Sequence, residues 1–145
     1  MSQVLLIAAD HPLPLCSRQQ QRTKVFTVSG ETFSIAAAAG FCVSEFSYYR
    51  EAVESLGYEI KPYRYELELE NCKEDLAHFM EYLSQHFSPG EEAELWNLWV
   101  GSDNEGHPHR YRGSFSDFDE AALSQFLSPP HGRGGIGQCR MTIIF

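Results

Sequence analysis

Three of the six histidines fall late in the chain, His107 and His109 on either side of Pro108, and His131 directly after Pro129-Pro130. Imidazole nitrogen is a ready zinc ligand, and three of them with an open fourth position would suit a catalytic centre if the two loops met at one sheet edge. Ligating imidazoles also need hydrogen-bonded partners to orient them, and no spacing here supplies those. A surface pair is the simpler reading of His107 and His109, so His107, His109 and His131 stand as weak metal candidates and no cofactor is expected.

Cys72 is the other chemically suggestive position. It opens an amphipathic stretch beside Lys73, where a helix N-terminus and a neighbouring cation favour thiolate, with His78 six residues on. His78 falls mostly on another helical face, and a structural thiol is the reading preferred. Gly132-Arg133-Gly134-Gly135-Ile136-Gly137 fits the letters of a dinucleotide fingerprint. It follows Pro129-Pro130-His131 and runs into a strand rather than opening a helix, so a loop is expected.

The third constellation is acidic. Glu66, Glu68 and Glu70 alternate with apolar residues and so project from one face of a strand, roughly 7 Å apart. Glycosidases use paired carboxylates, but across a cleft and in environments that separate their pKa values. A linear ladder instead suits either an edge that discourages strand addition or a docking stripe for a basic partner. Glu91, Glu92 and Glu94 would extend such a stripe.

The elements that would position these groups follow from periodicity. Val4 to Ala9 reads as a buried strand, and Val25 to Val28 with Thr32 to Ala36 as a hairpin around Ser29-Gly30-Glu31. Arg18 to Lys24 reads as a polar connector, and Ala36 to Ala39 suits a strand or the start of a helix. Ser44 is placed to cap a helix through Phe46, Tyr49, Val53 and Leu56, ending at Gly57. Tyr58 to Glu70 alternates as a strand, and Asn71 with Glu74 resembles a capping box for a helix with Leu76, Phe79, Met80, Leu83 and Phe87 inside. Glu94 to Val100 is apolar on both faces and so belongs in mid-sheet. A polar loop through Gly101 to Gly113, a helix capped by Ser116, and a strand from Gln138 to Phe145 complete the chain. The expected fold is one α+β domain over residues 1–145, a mixed sheet of five to six strands with helices mainly on one face, including strand-helix-strand crossovers at Tyr58 to Val100 and Glu94 to Phe145.

Charge is unevenly placed. The formal charge of -9 divides into three basic and one acidic residue over 1–30, four basic and sixteen acidic over 31–105, and four basic and three acidic over 106–145. Such a field repels nucleic acid and anionic lipid, which are bound by Lys and Arg displacing counterions. Cys16, Cys42, Cys72 and Cys139 show neither a C-x-x-C pair nor a disulfide framework, and no segment reads as a leader or a membrane span, so a cytoplasmic location is expected.

The run Lys61 to Leu69, the amphipathic helix after it, and Glu94-Leu-Trp-Asn-Leu-Trp-Val-Gly101 resemble segments of small uncharacterised bacterial proteins. The likeness consists of structural residues and carries no chemistry. In composition the chain is similar to immunity proteins, which neutralise toxins by charge-complementary binding. The functional expectation is a non-catalytic, protein-binding domain presenting Glu66, Glu68 and Glu70 to a basic partner. The alternatives are a small-molecule site or enzyme in the loops around His107, His109 and His131, and a homo-oligomeric structural protein such as a homodimer.

Overall fold

A computed structural model describes residues 2–101, 108–129 and 138–145. The fold is α+β, with a sheet larger than periodicity indicates. Seven strands form it in the order β2-β5-β6-β1-β7-β9-β8, and β3 and β4 make a separate two-stranded ribbon. The strands are β1 (Ser2–Ala9), β2 (Cys16–Ser17), β3 (Gln20–Val28), β4 (Glu31–Ala39), β5 (Cys42–Glu45), β6 (Tyr63–Glu68), β7 (Glu92–Val100), β8 (His109–Ser114) and β9 (Cys139–Ile144).

The strand β1 is antiparallel to both β6 and β7. Those two therefore run the same way, joined through helix α2 (Lys73–His86) with β1 inserted between them. The crossover expected over Tyr58 to Val100 takes this split form. The one expected over Glu94 to Phe145 is corrected, because β7 and β9 are antiparallel neighbours. The parallel partner of β9 is β8, and helix α3 (Glu120–Leu127) lies between them in the chain. The sequence of β8, His-Arg-Tyr-Arg-Gly-Ser, reads as polar loop because its strand is stabilised by pairing at a sheet margin rather than by burial.

Alternation along the central strands fills two apolar layers. Ile7, Leu67, Leu95, Met141 and Ile143 face α2 and α3, where Phe79, Leu83, Leu123 and Phe126 meet them. Val4, Leu6, Ala8, Trp96, Leu98 and Val100 form the opposite layer, closed by Phe46, Val53 and Ile60. Val53 belongs to α1 (Arg50–Glu54), so the longer helices share one face and the shortest takes the other.

Local signals yield to these layers in three places. Ser44 is not a helix cap but a residue of β5 opposite Glu66, because Val43 buries beside Leu67 in the sheet. Cys72, rather than Asn71, occupies the N-cap of α2 without a side-chain cap bond, and its carbonyl accepts from Leu76 N–H at 3.0 Å. Asp119, not Ser116, caps α3, its Oδ1 accepting from Ala122 N–H at 2.9 Å. Ser116 lies in the 3-10 turn Phe115–Asp117 that precedes the helix.

Among the described residues the buried polar side chains of the sheet are matched, while His78 Nδ1 in α2 is buried without a hydrogen-bond partner. The Asn97 amide donates to Phe126 O at 2.8 Å and its Oδ1 accepts from Gln3 at 3.0 Å. The Gln138 side chain imitates a strand beside β7, donating to Trp99 O at 3.0 Å and accepting from Trp99 N–H at 2.6 Å. Among the described residues no helix is long and apolar enough to cross a membrane.

Candidate interaction surface

The ribbon is the most exposed element of the chain. Ser29 and Gly30 both have positive φ, 52° and 80°, the backbone of a type I′ turn that matches strand twist. Pairing then runs without a bulge from Val28↔Glu31 to Gln20↔Ala39, so the strands extend beyond the short hairpin read from sequence and absorb both the Gln20 to Lys24 segment and the alanine run. One face carries Gln20, Arg22, Lys24, Phe26 and Val28 with Phe33 and Ile35. The other carries Gln21, Thr23, Val25 and Thr27 with Thr32, Ser34, Ala36 and Ala38.

Neither face is covered towards the tip. Val25, Phe26, Val28, Phe33 and Ile35 retain 43–64% of their accessible surface. Phe26 and Phe33 stack on each other at 5.8 Å, without a body residue over them among the ring contacts of the described residues. A lone two-stranded hairpin is marginal in water, so something must hold this one.

The base does so electrostatically. Arg22 forks onto the buried carboxylate of Asp75, with Nη2 2.7 Å from Oδ1 and Nη1 3.4 Å from Oδ2. Arg22 Nη1 also meets Glu70 at 2.9 Å, Lys24 meets Glu70 at 3.2 Å, and Gln20 donates to Glu74 at 2.8 Å. Burial alone would raise the Asp75 carboxyl. The Arg22 guanidinium, the Glu70 N–H at 2.7 Å and the Cys72 thiol outweigh it and hold Asp75 below the ordinary carboxylate range. At the exit, Gly40 has φ +139°, and a Cβ there would stand 3.0 Å from Arg18 O and 3.2 Å from Gln19 Cα, so the two legs of the ribbon converge only over a glycine.

The acidic ladder lies beside this base. β6 sits between β1 and β5, so Glu66 and Glu68 protect no sheet edge, and that reading is corrected. Glu66 and Glu68 project from one face, whereas Glu70 lies beyond the end of β6. Within the chain, Glu68 accepts from Gln19 at 2.6 Å, and Glu70 is held by Arg22 and Lys24. Glu66 lies between Leu6 and Ser44, and burial, then the neighbouring charge of Glu68, raises its carboxyl. A raised folded-state value disfavours folding once the unfolded chain ionises, so the penalty is absent at low pH and grows as pH rises from the unfolded towards the folded value. Glu66→Gln is therefore expected to stabilise at pH 7, by less than about 1 kcal/mol after solvent screening, and to change nothing at pH 3. Thermal melts at the two pH values check this.

The remaining acids engage locally. Glu94 is 4% exposed and accepts from Lys61 N–H at 2.8 Å and Trp96 Nε1–H at 3.3 Å, with Arg140 at 3.2 Å. Glu92 pairs with Arg112, and Glu91 meets His11 at 3.1 Å. None of these three stands free beside Glu66.

For the chemical candidates, His109 opens β8 opposite Cys139, its N–H donating to Gln138 O at 2.7 Å. His107, His131 and the Gly132 to Gly137 stretch lie outside the described residues, and among the described residues no three His, Cys, Asp or Glu side chains are grouped to hold a metal. Cys72 is a free, half-buried thiol at the N-cap of α2, and burial pushes the Cys139 thiol up to about 12, which suppresses its thiolate. A cavity of about 160 Å³ between β8, β9 and α3 is lined by Tyr111, Phe118, Gln125 and Met141, and two wider depressions, about 350 Å³ beside Gly40, Glu66 and Glu68 and about 430 Å³ beside Phe87, Phe115 and Phe145, reach the lower end of the roughly 300–1,000 Å³ of typical small-molecule sites.

Sequence reasoning missed the Arg22–Asp75 contact and the full ribbon. Two signals pointed to them: a carboxylate at Asp75, one turn before Phe79 on the inner helical stripe, and the density of β-branched and aromatic residues from Thr23 to Val28. No family model, no curated protein and no solved structure matches this chain.

Proposed function

We propose that the chain is a non-catalytic protein-binding module whose contact element is the β3–β4 ribbon, with Glu66 and Glu68 as an acidic flank at its base. One observation carries this reading: two nine-residue strands expose five large apolar side chains on both faces while the body of the chain packs two closed layers without them. Contiguous exposed apolar surface marks protein contact sites, and aromatic side chains supply much of the affinity at their centres. The flanking carboxylates would steer encounter and reject acidic partners rather than supply the hold. This moves the expected contact from the ladder of Glu66, Glu68 and Glu70 to the apolar ribbon beside it.

A photo-reactive phenylalanine analogue at position 33 tests the assignment in living cells. The expected result is a covalent adduct of this chain with protein, lost when the analogue is moved to position 79. A position-33 chain that gives no protein adduct would overturn the reading.

A further inference from the structure

We propose that the outer edge of β4 is a self-association site at which two copies of this chain pair their ribbons antiparallel about a two-fold axis, a reading that rests on the ribbon as contact element. Its two-residue turn makes Val28↔Glu31 the closing hydrogen-bonded pair, and pairs alternate from there between bonded and non-bonded. Thr32, Ser34, Ala36 and Ala38 consequently point their N–H and C=O groups away from β3, towards an edge that no other strand among the described residues covers.

Edges left to solvent are normally guarded by lysine, proline, a bulge or short length. β4 has none of these: it is nine residues long, regularly paired, and uncharged from Thr32 to Ala39. The edge of β3, by contrast, belongs to a strand carrying Arg22 and Lys24.

Charge selects the occupant. Each copy carries -9, so two bodies repel, and an interface between copies must form where acid is sparse. Over residues 20–39 the only charges are Arg22, Lys24 and Glu31, and both cations are already matched at the base. What remains for recognition is neutral backbone and apolar surface, which a second β4 complements by symmetry.

Geometry then places the tip. In an antiparallel pair centred on Ile35, Glu31 of one copy stands opposite Ala39 of the partner subunit, far from the second Glu31. The tip of each ribbon comes beside the base of the other. At that base the face shared by Gln20, Arg22 and Lys24 is turned onto Glu74, Asp75 and Glu70. Phe26, Val28 and Phe33 occupy the same face, so the pairing continues one apolar face from each tip along the four-stranded ribbon.

Light scattering and sedimentation of the full chain across concentration test this. The wild type is expected to reach twice the 16.5 kDa of one chain. Ala36→Pro removes an outward donor without removing a bond to β3, and Ser34→Lys restores an edge charge, so each should weaken dimerisation at least about 30-fold, roughly 2 kcal/mol. Thr23→Pro, the equivalent change on the β3 edge, should leave the dimer intact. Circular dichroism matching the wild type shows that each variant is folded. A wild type that stays monomeric overturns the inference, as does a folded Ala36→Pro and Ser34→Lys pair that dimerises normally. If a monomeric wild type still gives adducts from position 33 with other proteins, the self-association fails and the ribbon as contact element stands. If it gives none, both fail.

Discussion

Phe79→Ala is expected to destabilise the chain by about 3–5 kcal/mol, whereas Phe26→Ala, the same truncation on the ribbon of a single copy, is expected to cost under about 1 kcal/mol. Phe79 is fully buried in α2, with Phe41 at 5.6 Å and Phe118 at 5.9 Å, so its removal leaves a cavity that the sheet on one side and α3 on the other cannot close. Phe26 is 43% exposed and its ring contact is with Phe33, a residue of the same ribbon. Urea unfolding at a concentration where the chain is monomeric reads both values from the shift in midpoint at constant slope. The contrast separates apolar surface that holds the fold from apolar surface that the fold leaves over.

The second large effect is expected at Asp75. Asp75→Asn keeps the shape but turns an amide group towards a guanidinium that needs acceptors, and it should cost about 2 kcal/mol, the range for losing hydrogen bonds to a charged group. Glu70 and Glu74 remain to accept from Arg22, which keeps the loss below that of stranding a buried charge. The pH dependence has a definite sign. The folded-state value of Asp75 lies below the unfolded value near ~3.9, so its stabilisation is complete above that range and disappears as pH falls through the lower folded value. Wild type and Asp75→Asn should therefore differ most at neutral pH and converge in strong acid. Arg22→Met should follow the same direction, since it removes the strongest of the groups that hold the Asp75 carboxyl down against burial, so its cost is greatest at neutral pH and shrinks as the carboxyl takes up a proton. Chemical unfolding from pH 2 to pH 7 gives all three curves.

Where side-chain period and tertiary burial agree, sequence alone located the element. β1 and β7 run apolar because they are enclosed between two layers, β6 and β9 alternate because one face of each meets the helices α2 and α3, and α2 keeps its 3.6-residue stripe because one face of it meets the sheet. Reading failed where stability comes from pairing across distance. Val43 draws Ser44 into β5 by lying beside Leu67, although the residues after it have helical spacing. β8 is polar because it lies at a margin and is fixed through backbone bonds to β9. The ribbon was visible only around its turn, since its lower strands are Gln-rich on one side and alanine on the other, and their register comes from the turn rather than from a buried face.

The acidic residues show the same division. Alternation correctly placed Glu66 and Glu68 on one face of a strand, but spacing along one strand says nothing of what crosses it. Arg22 and Lys24 come from more than forty positions earlier, and their arrival turns Glu70 from a free carboxylate into part of a latch. The same latch leaves the tip of the ribbon as the apolar surface open to a second molecule. A strand edge with neutral backbone groups and flanking phenylalanines has the recognition chemistry of strand addition, in which main-chain bonds supply affinity and alternate side chains supply fit.

Amide hydrogen exchange along β4, followed as concentration is raised, tests the ribbon as contact element most directly. In dilute solution Thr32, Ser34, Ala36 and Ala38 should exchange quickly and Phe33, Ile35 and Ala37 slowly, and the first group should become protected as copies associate. If the outward amides are as slow in the most dilute sample as the inward ones, or stay fast at every concentration, this edge is not where the chain meets a second copy.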